Sequence, residues 1–181
     1  MSEGSRLVRT VVGFAEAVSP MFSNEWRLIQ GDRELAVMRR FPRNHMSKVK
    51  LADDTVWSLE PDGWGTVRAN ERDVPFAEIV RRSWWGRRWQ VSSIGFAGEL
   101  ISRPRPRRWN FAIGGEPIAE LSGSALSYNH IAINAQIALP LSAVLLAWQV
   151  IARPWEAAAY PTQLVPAPEP ERAPQPRPEV A

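Results

Sequence analysis

The chain has 181 residues, no cysteine and a formal net charge of +3. That length suits one domain with a core of its own, and the missing cysteines exclude disulfides, thiolate metal sites and cysteine nucleophiles. So small a net charge says little about partners; its distribution says more, because residues 81–108 hold eight arginines against a single acid, Glu99, while lysine occurs only at Lys48 and Lys50.

At the N-terminus, Arg6 and Arg9 are followed by a stretch that Gly13 and Glu16 break. It is too short for the apolar core of a signal peptide, so no cleaved export signal is expected. Residues 6–136 read as short strands at the spacing of roughly 8–12 residues found in barrels and sandwiches. The first is expected at 6–12. Strands at 26–30 and 34–40 flank Gly31-Asp32, a hairpin turn sequence, and strands at 46–51 and 55–60 flank Asp53-Asp54. A strand at 64–69 follows Pro61-Asp62-Gly63, whose proline and glycine suit a tight turn. Strands at 76–82 and 89–94 come next, then a short one at 99–102, stopped by Arg103-Pro104. At 109–113, Trp109, Phe111 and Ile113 alternate with Asn110 and Ala112, so a period of two puts the three large side chains on one face. Gly114-Gly115 turns the chain into a strand at 118–121, and the last strand is expected at 126–136, for about twelve in all.

The pattern then changes. Residues 139–152 contain only Ser142 and Gln149 as polar side chains, seven positions apart and hence on one face of a helix. Pro140 suits a first helical turn; Arg153 suits a last turn, and Pro154 is expected to stop the helix near 153. A helix apolar all round is either enclosed by protein or sits in a membrane. No charged residue occurs from Leu121 to Ala152, yet Asn129, His130, Asn134 and Gln136 would each be costly in hydrocarbon. The mainly apolar part, 137–151, would span roughly 22 Å, short of a bilayer core of about 30 Å. An enclosed helix is therefore expected, with a membrane-inserted one as the alternative. The domain is expected over 1–158, and residues 159–181, with seven prolines and no apolar periodicity, are expected to form a disordered, extended tail.

A many-stranded antiparallel sheet followed by one apolar helix has a natural solution: the sheet closes into a barrel, which removes its edges, and the helix plugs it. In this layout the chain resembles the tubby C-terminal-like superfamily, which includes the phospholipid scramblases and the LURP-one-related proteins. The resemblance is carried by the hairpin 26–40, the turn Pro61-Asp62-Gly63, the hairpin 109–121 through Gly114-Gly115, and the strand-to-helix run 128–153. It covers about residues 6–155 and implies twelve strands wrapped around a hydrophobic C-terminal helix. The cysteine-rich and acidic calcium segments of scramblases, and the phosphoinositide-binding pattern of tubby proteins, have no counterpart here, so the resemblance assigns no functional residue.

The most distinctive segment is Arg81-Arg82-Ser83-Trp84-Trp85-Gly86-Arg87-Arg88-Trp89. Indole rings settle at the headgroup level of a membrane, and guanidinium groups pair with lipid phosphates. The same mixture can stack bases and hold a nucleic-acid backbone, which is disfavoured here, or it can be barrel core joined to a solvated turn. Trp84 and Trp85 are adjacent, so in a strand only one of them faces inward. The stiff loop of Arg103, Arg105, Arg107 and Arg108 with its prolines could add phosphate contacts. His45 and His130 have no second ligand at metal spacing and no nucleophile elbow beside them. Asp53-Asp54, Asp62 and the 71–73 acids fall in expected turns, where aspartate serves the backbone. No glycine-rich phosphate loop occurs. The expected function is a non-enzymatic domain for anionic phospholipid or a membrane surface, using residues 81–89 and 103–108, cytoplasmic and peripheral, with no cofactor or metal. The alternatives are a protein-interaction scaffold whose proline-rich tail binds a partner, and a tail-anchored membrane protein.

Overall fold

The computed structural model describes residues 9–20, 23–41, 43–63, 65–84, 86–104, 107–123 and 129–159, the last seven as backbone alone. The protein is mainly β. Its strands are β1 (Thr10–Val18), β2 (Glu25–Gln30), β3 (Arg33–Phe41), β4 (Met46–Leu51), β5 (Val56–Pro61), β6 (Thr66–Glu71), β7 (Val74–Arg81), β8 (Arg88–Ser93), β9 (Phe96–Ser102), β10 (Arg108–Ile113), β11 (Glu116–Gly123) and β12 (His130–Pro140). One helix, α1 (Leu141–Ala159), follows directly. Each strand pairs antiparallel with its neighbour in sequence, and β1 closes on β12, from Thr10 opposite Pro140 to Val18 opposite His130. Closure leaves no free edge to template another chain.

Because every strand-to-strand connection is a hairpin, the loops alternate between two rims. The first rim carries the connections β1–β2, β3–β4, β5–β6, β7–β8, β9–β10 and β11–β12; the second carries the two- to four-residue turns between β2–β3, β4–β5, β6–β7, β8–β9 and β10–β11. The second-rim turns bend through left-handed residues, among them Gly31, Asp54, Asp73, Gly95 and Gly114.

Alternation along the strands supplies the core: Ala15 and Ala17 of β1, Trp26 and Leu28 of β2, Val49 of β4, Leu59 of β5 and Ile131 and Ile133 of β12 are all buried. They form one cluster with helix residues 143–148. Every described helix side chain from Leu141 to Ala152 is buried. Its contacts reach round the sheet: Trp148 packs edge-on against Trp26 of β2 with centroids 5.8 Å apart, and others touch β1, β6, β7, β8 and β12. The two polar side chains are matched. Ser142 shares a 2.6 Å hydrogen bond with Ser93 of β8. Gln149 accepts from the Ser47 hydroxyl of β4 at 2.7 Å and donates to the His45 carbonyl at 2.9 Å. The helix therefore begins beside the second rim and reaches the first. Among the described residues, no helix is long and apolar enough to cross a membrane.

Several expected boundaries move, each for a local reason. The first strand starts at Thr10, residues 6–8 lying outside the described set, and runs on to Val18. Gly13, read as a break, is a bulge at φ +74°, where the β1–β12 register shifts. The faces of Trp109, Phe111 and Ile113 are not shared. A register shift between Phe111 and Ala112 buries both of these neighbours and leaves Ile113 41 % exposed. β9 starts three residues early, at Phe96, because Gly95 at φ +70° completes a tight turn before it. β12 runs to Pro140, so Leu139 and Pro140 end a strand and do not open the helix. The Leu141 amide, free to begin it, donates to the Arg9 carbonyl at 2.7 Å. Pro154 does not stop α1, which continues to Ala159; a helical proline forfeits the amide that would reach the carbonyl four residues back. Of the tail expected at 159–181, Ala159 ends α1, and residues 160–181 lie outside the described residues.

Candidate functional site

The arginine-rich loops meet on the first rim. β7 and β8 are joined through residues 82–87, β9 and β10 through 103–107, and β8 pairs with β9, so the two loops are neighbours. The Ser102 amide donates to the Arg87 carbonyl at 2.8 Å and ties them together.

The 82–87 loop is a built turn between β7 and β8, so the alternation of a strand does not apply to Trp84. The Ser83 hydroxyl accepts the Arg87 and Arg88 amides at 2.8 and 2.9 Å, and its carbonyl accepts the Gly86 amide at 3.0 Å. Gly86 sits at φ +64°, a conformation glycine adopts without a Cβ penalty. The indole of Trp89 donates to the Gly86 carbonyl at 2.8 Å from a half-buried position. Arg81 braces the turn from behind: its amide donates to the Gly65 carbonyl at 2.7 Å and its Nε to the Ser83 carbonyl at 2.9 Å. The result is a supported tip with Trp84 on it, 73 % exposed and the most exposed of the described large apolar side chains. Trp85 lies outside the described residues.

The arginines divide into two groups. Arg88 forms a two-pronged pair with Glu99 across β8–β9, at 2.7 and 3.1 Å. The hydrogen bond and then the charge of Glu99 hold its proton more tightly than in a free guanidinium. Arg108 pairs with Glu120 of β11 at 2.6 Å. With Arg81 these are wall and bracing groups. Arg82, Arg87 and Arg103 are exposed, as Arg88 and Arg108 are, but without an acid paired to them among the described residues; Arg82 leans on the neutral side-chain oxygen of Gln90. Arg107 turns the second loop at φ 58° and its carbonyl accepts the Gly123 amide. Arg105 lies outside the described residues. Among the described first-rim loop residues the one acid is Asp62, paired with Arg68 at 2.7 Å. The sequence did not distinguish the acid-paired arginines from the others, because Glu99 and Glu120 become partners only through strand register.

The other candidates fall into structural roles. His130 meets Glu16 across β1–β12 at 2.9 Å. His45 turns the β3–β4 loop at φ 57°, and its carbonyl receives Gln149. Asp54 pairs with Lys50 at 2.8 Å, and this hydrogen bond and charge raise the pKa of Lys50. Asp53 accepts from Arg9 and from the Thr55 amide at the second rim. Partial desolvation acts to raise its pKa, but the Thr55 hydrogen bonds and the Arg9 charge outweigh it and hold the carboxyl below its usual range. No group of three or more metal-ligating side chains occurs among the described residues. No protein-family model, curated protein or solved structure matches the chain.

Proposed function

We propose that this protein is a non-enzymatic domain that binds an anionic phospholipid surface through the first rim, at the cytoplasmic side of a membrane. The observation that carries the reading is the supported 82–87 tip: an exposed tryptophan flanked by the exposed Arg82 and Arg87, with Arg103 on the loop beside it. Guanidinium groups pair with phosphate oxygens, and an indole ring settles among headgroups. Arg88 and Arg108, held by Glu99 and Glu120, orient the loops and contribute less to the contact.

The same proposal includes the finer architecture. The barrel closes around α1, supported by the burial of its described residues on every side, and the proline-rich segment beyond it is a tether. This arrangement favours kinship with the tubby-like barrels named above.

Flotation of the full chain with neutral and with phosphatidylserine-containing vesicles, at low and high salt, tests the reading. Salt-sensitive binding to the anionic vesicles alone is expected, with loss in the double variant R87E/R103E. Retained binding by that variant overturns the site. Binding that salt does not reverse indicates insertion, and no binding moves the function to the proline-rich tail as a protein ligand.

A further inference from the structure

The first rim carries a second basic and aromatic element on the far side of the barrel mouth. Phe41 ends β3 and is 36 % exposed, and the guanidinium of Arg39 lies 5.9 Å from its ring centroid. Arg43 in the adjoining turn is exposed. Arg39 sits opposite Lys48 on β4, and both are exposed. In strand order the β3–β4 hairpin is four strands from β7–β8 and six of the twelve from β9–β10, directly across the barrel.

With strands about 4.8 Å apart and tilted by about 40°, twelve strands give a barrel roughly 24 Å across. That is more than two Debye lengths at about 0.1 M salt, so the β3–β4 hairpin meets a charged surface as a contact separate from the two joined arginine-rich loops. The opposite rim lacks this basic excess: its turns carry Asp32, Asp53, Asp54 and Asp73 with Arg72, and Asp53 and Asp54 pair there with Arg9 and Lys50. Three contacts spaced around one rim, unlike one patch on its side, define a plane across the barrel axis.

Resting on the lipid-binding reading above, we propose that the barrel stands end-on upon an anionic bilayer, with the Phe41–Arg43 hairpin as the third contact. The C-terminal half of α1 then points at the lipid, because Gln149 is bonded beside that hairpin. The chain leaving α1 emerges on the membrane side, and the second rim faces away.

The absence of cysteine lets single probes be placed without background. An environment-sensitive dye is attached in N44C and P104C on the first rim and in D32C on the second. Each variant is titrated with phosphatidylcholine vesicles containing phosphatidylserine, with and without brominated lipid. Dyes at 44 and 104 are expected to shift to the blue and to be quenched by the bromines, and the dye at 32 to do neither. In the unlabelled chain, R43E reverses one charge. At about five-fold per charge near the surface, partitioning should weaken roughly 25-fold, with an unchanged melting temperature as the check on folding. A response at 104 with a silent dye at 44, and R43E within two-fold of the wild type, overturns the end-on contact while leaving the 82–107 patch standing. Wild type that ignores these vesicles, or that prefers single-stranded RNA to them, overturns the lipid reading and this inference with it.

Discussion

The Gln149–Ser47 contact links the helix to the wall where both are fully buried, and its cost can be worked out. Ser47 to Ala removes one hydrogen bond and strands the side-chain oxygen of Gln149, for about 1.5 kcal/mol. Gln149 to Leu strands the Ser47 hydroxyl and also loses the 2.9 Å bond to the His45 carbonyl, for about 2.5 kcal/mol. In the double variant neither side chain is left unpaired, and the exposed turn around His45 lets water reach its carbonyl. The double variant should therefore cost about 2 kcal/mol, well under the additive 4, a coupling within the range for groups in contact. Urea unfolding followed by tryptophan fluorescence measures all three against wild type, with unchanged slopes expected because the exposed area changes little. Strict additivity would show that the two side chains do not meet in solution and would refute the packing of α1 against β4.

Trp84 to Ser should leave the melting temperature within about a degree, since so exposed a side chain contributes little to the fold. It should weaken partitioning into anionic vesicles roughly ten-fold if the ring is buried among headgroups. Gly65 sits at φ +85°, and a Cβ there would lie 2.9 Å from that of Arg81. Gly65 to Ala should cost about 2 kcal/mol and lower the melting temperature by about 4–8 °C, seen in a thermal scan; no change would mean that Arg81 does not brace the loop as described. The lowered pKa of Asp53 stabilises the fold above the ordinary carboxylate value of 3.8, and that contribution is lost as pH falls through the lowered one. Melting curves between about pH 5 and pH 2.5 should thus fall less steeply for Asp53 to Asn than for wild type, and parallel curves would show that the Thr55 and Arg9 contacts of Asp53 do not stabilise the fold.

The strand count, the hairpin rhythm and the single apolar helix were legible in the sequence because turn residues and a period of two are local signals. The errors sit where one local signal stood for two structures. Gly13 reads equally as a break or as a bulge, and the neighbouring strand decides. Trp109, Phe111 and Ile113 alternate on paper, but the shift at Ala112 reverses the faces, and nothing in residues 109–113 reports it. Pro140 ends β12 for the reason that would let it open a helix: it has no amide to place. At the site, the Arg/Trp segment was conspicuous from composition, but its division into braces and free cations depends on Glu99 and Glu120, which arrive from neighbouring strands. Phe41 and Arg43 gave no signal at all, since one aromatic and one arginine in a turn are ordinary until topology sets them on the same rim.

The pairing of β1 with β12 also orders events in time. During synthesis the first strand exists long before its partner, and β11 likewise waits for one. Until the ribosome has delivered His130–Pro140, two strand edges stay open to any other chain. The apolar helix, whose described side chains are all buried, follows that last strand without an intervening residue. Closing the wall and filling it should therefore form one late, cooperative step, slow because its contacts join the two ends of the domain. A chain cut short before residue 141 would lack that filling and be left a sticky sheet, not a smaller barrel.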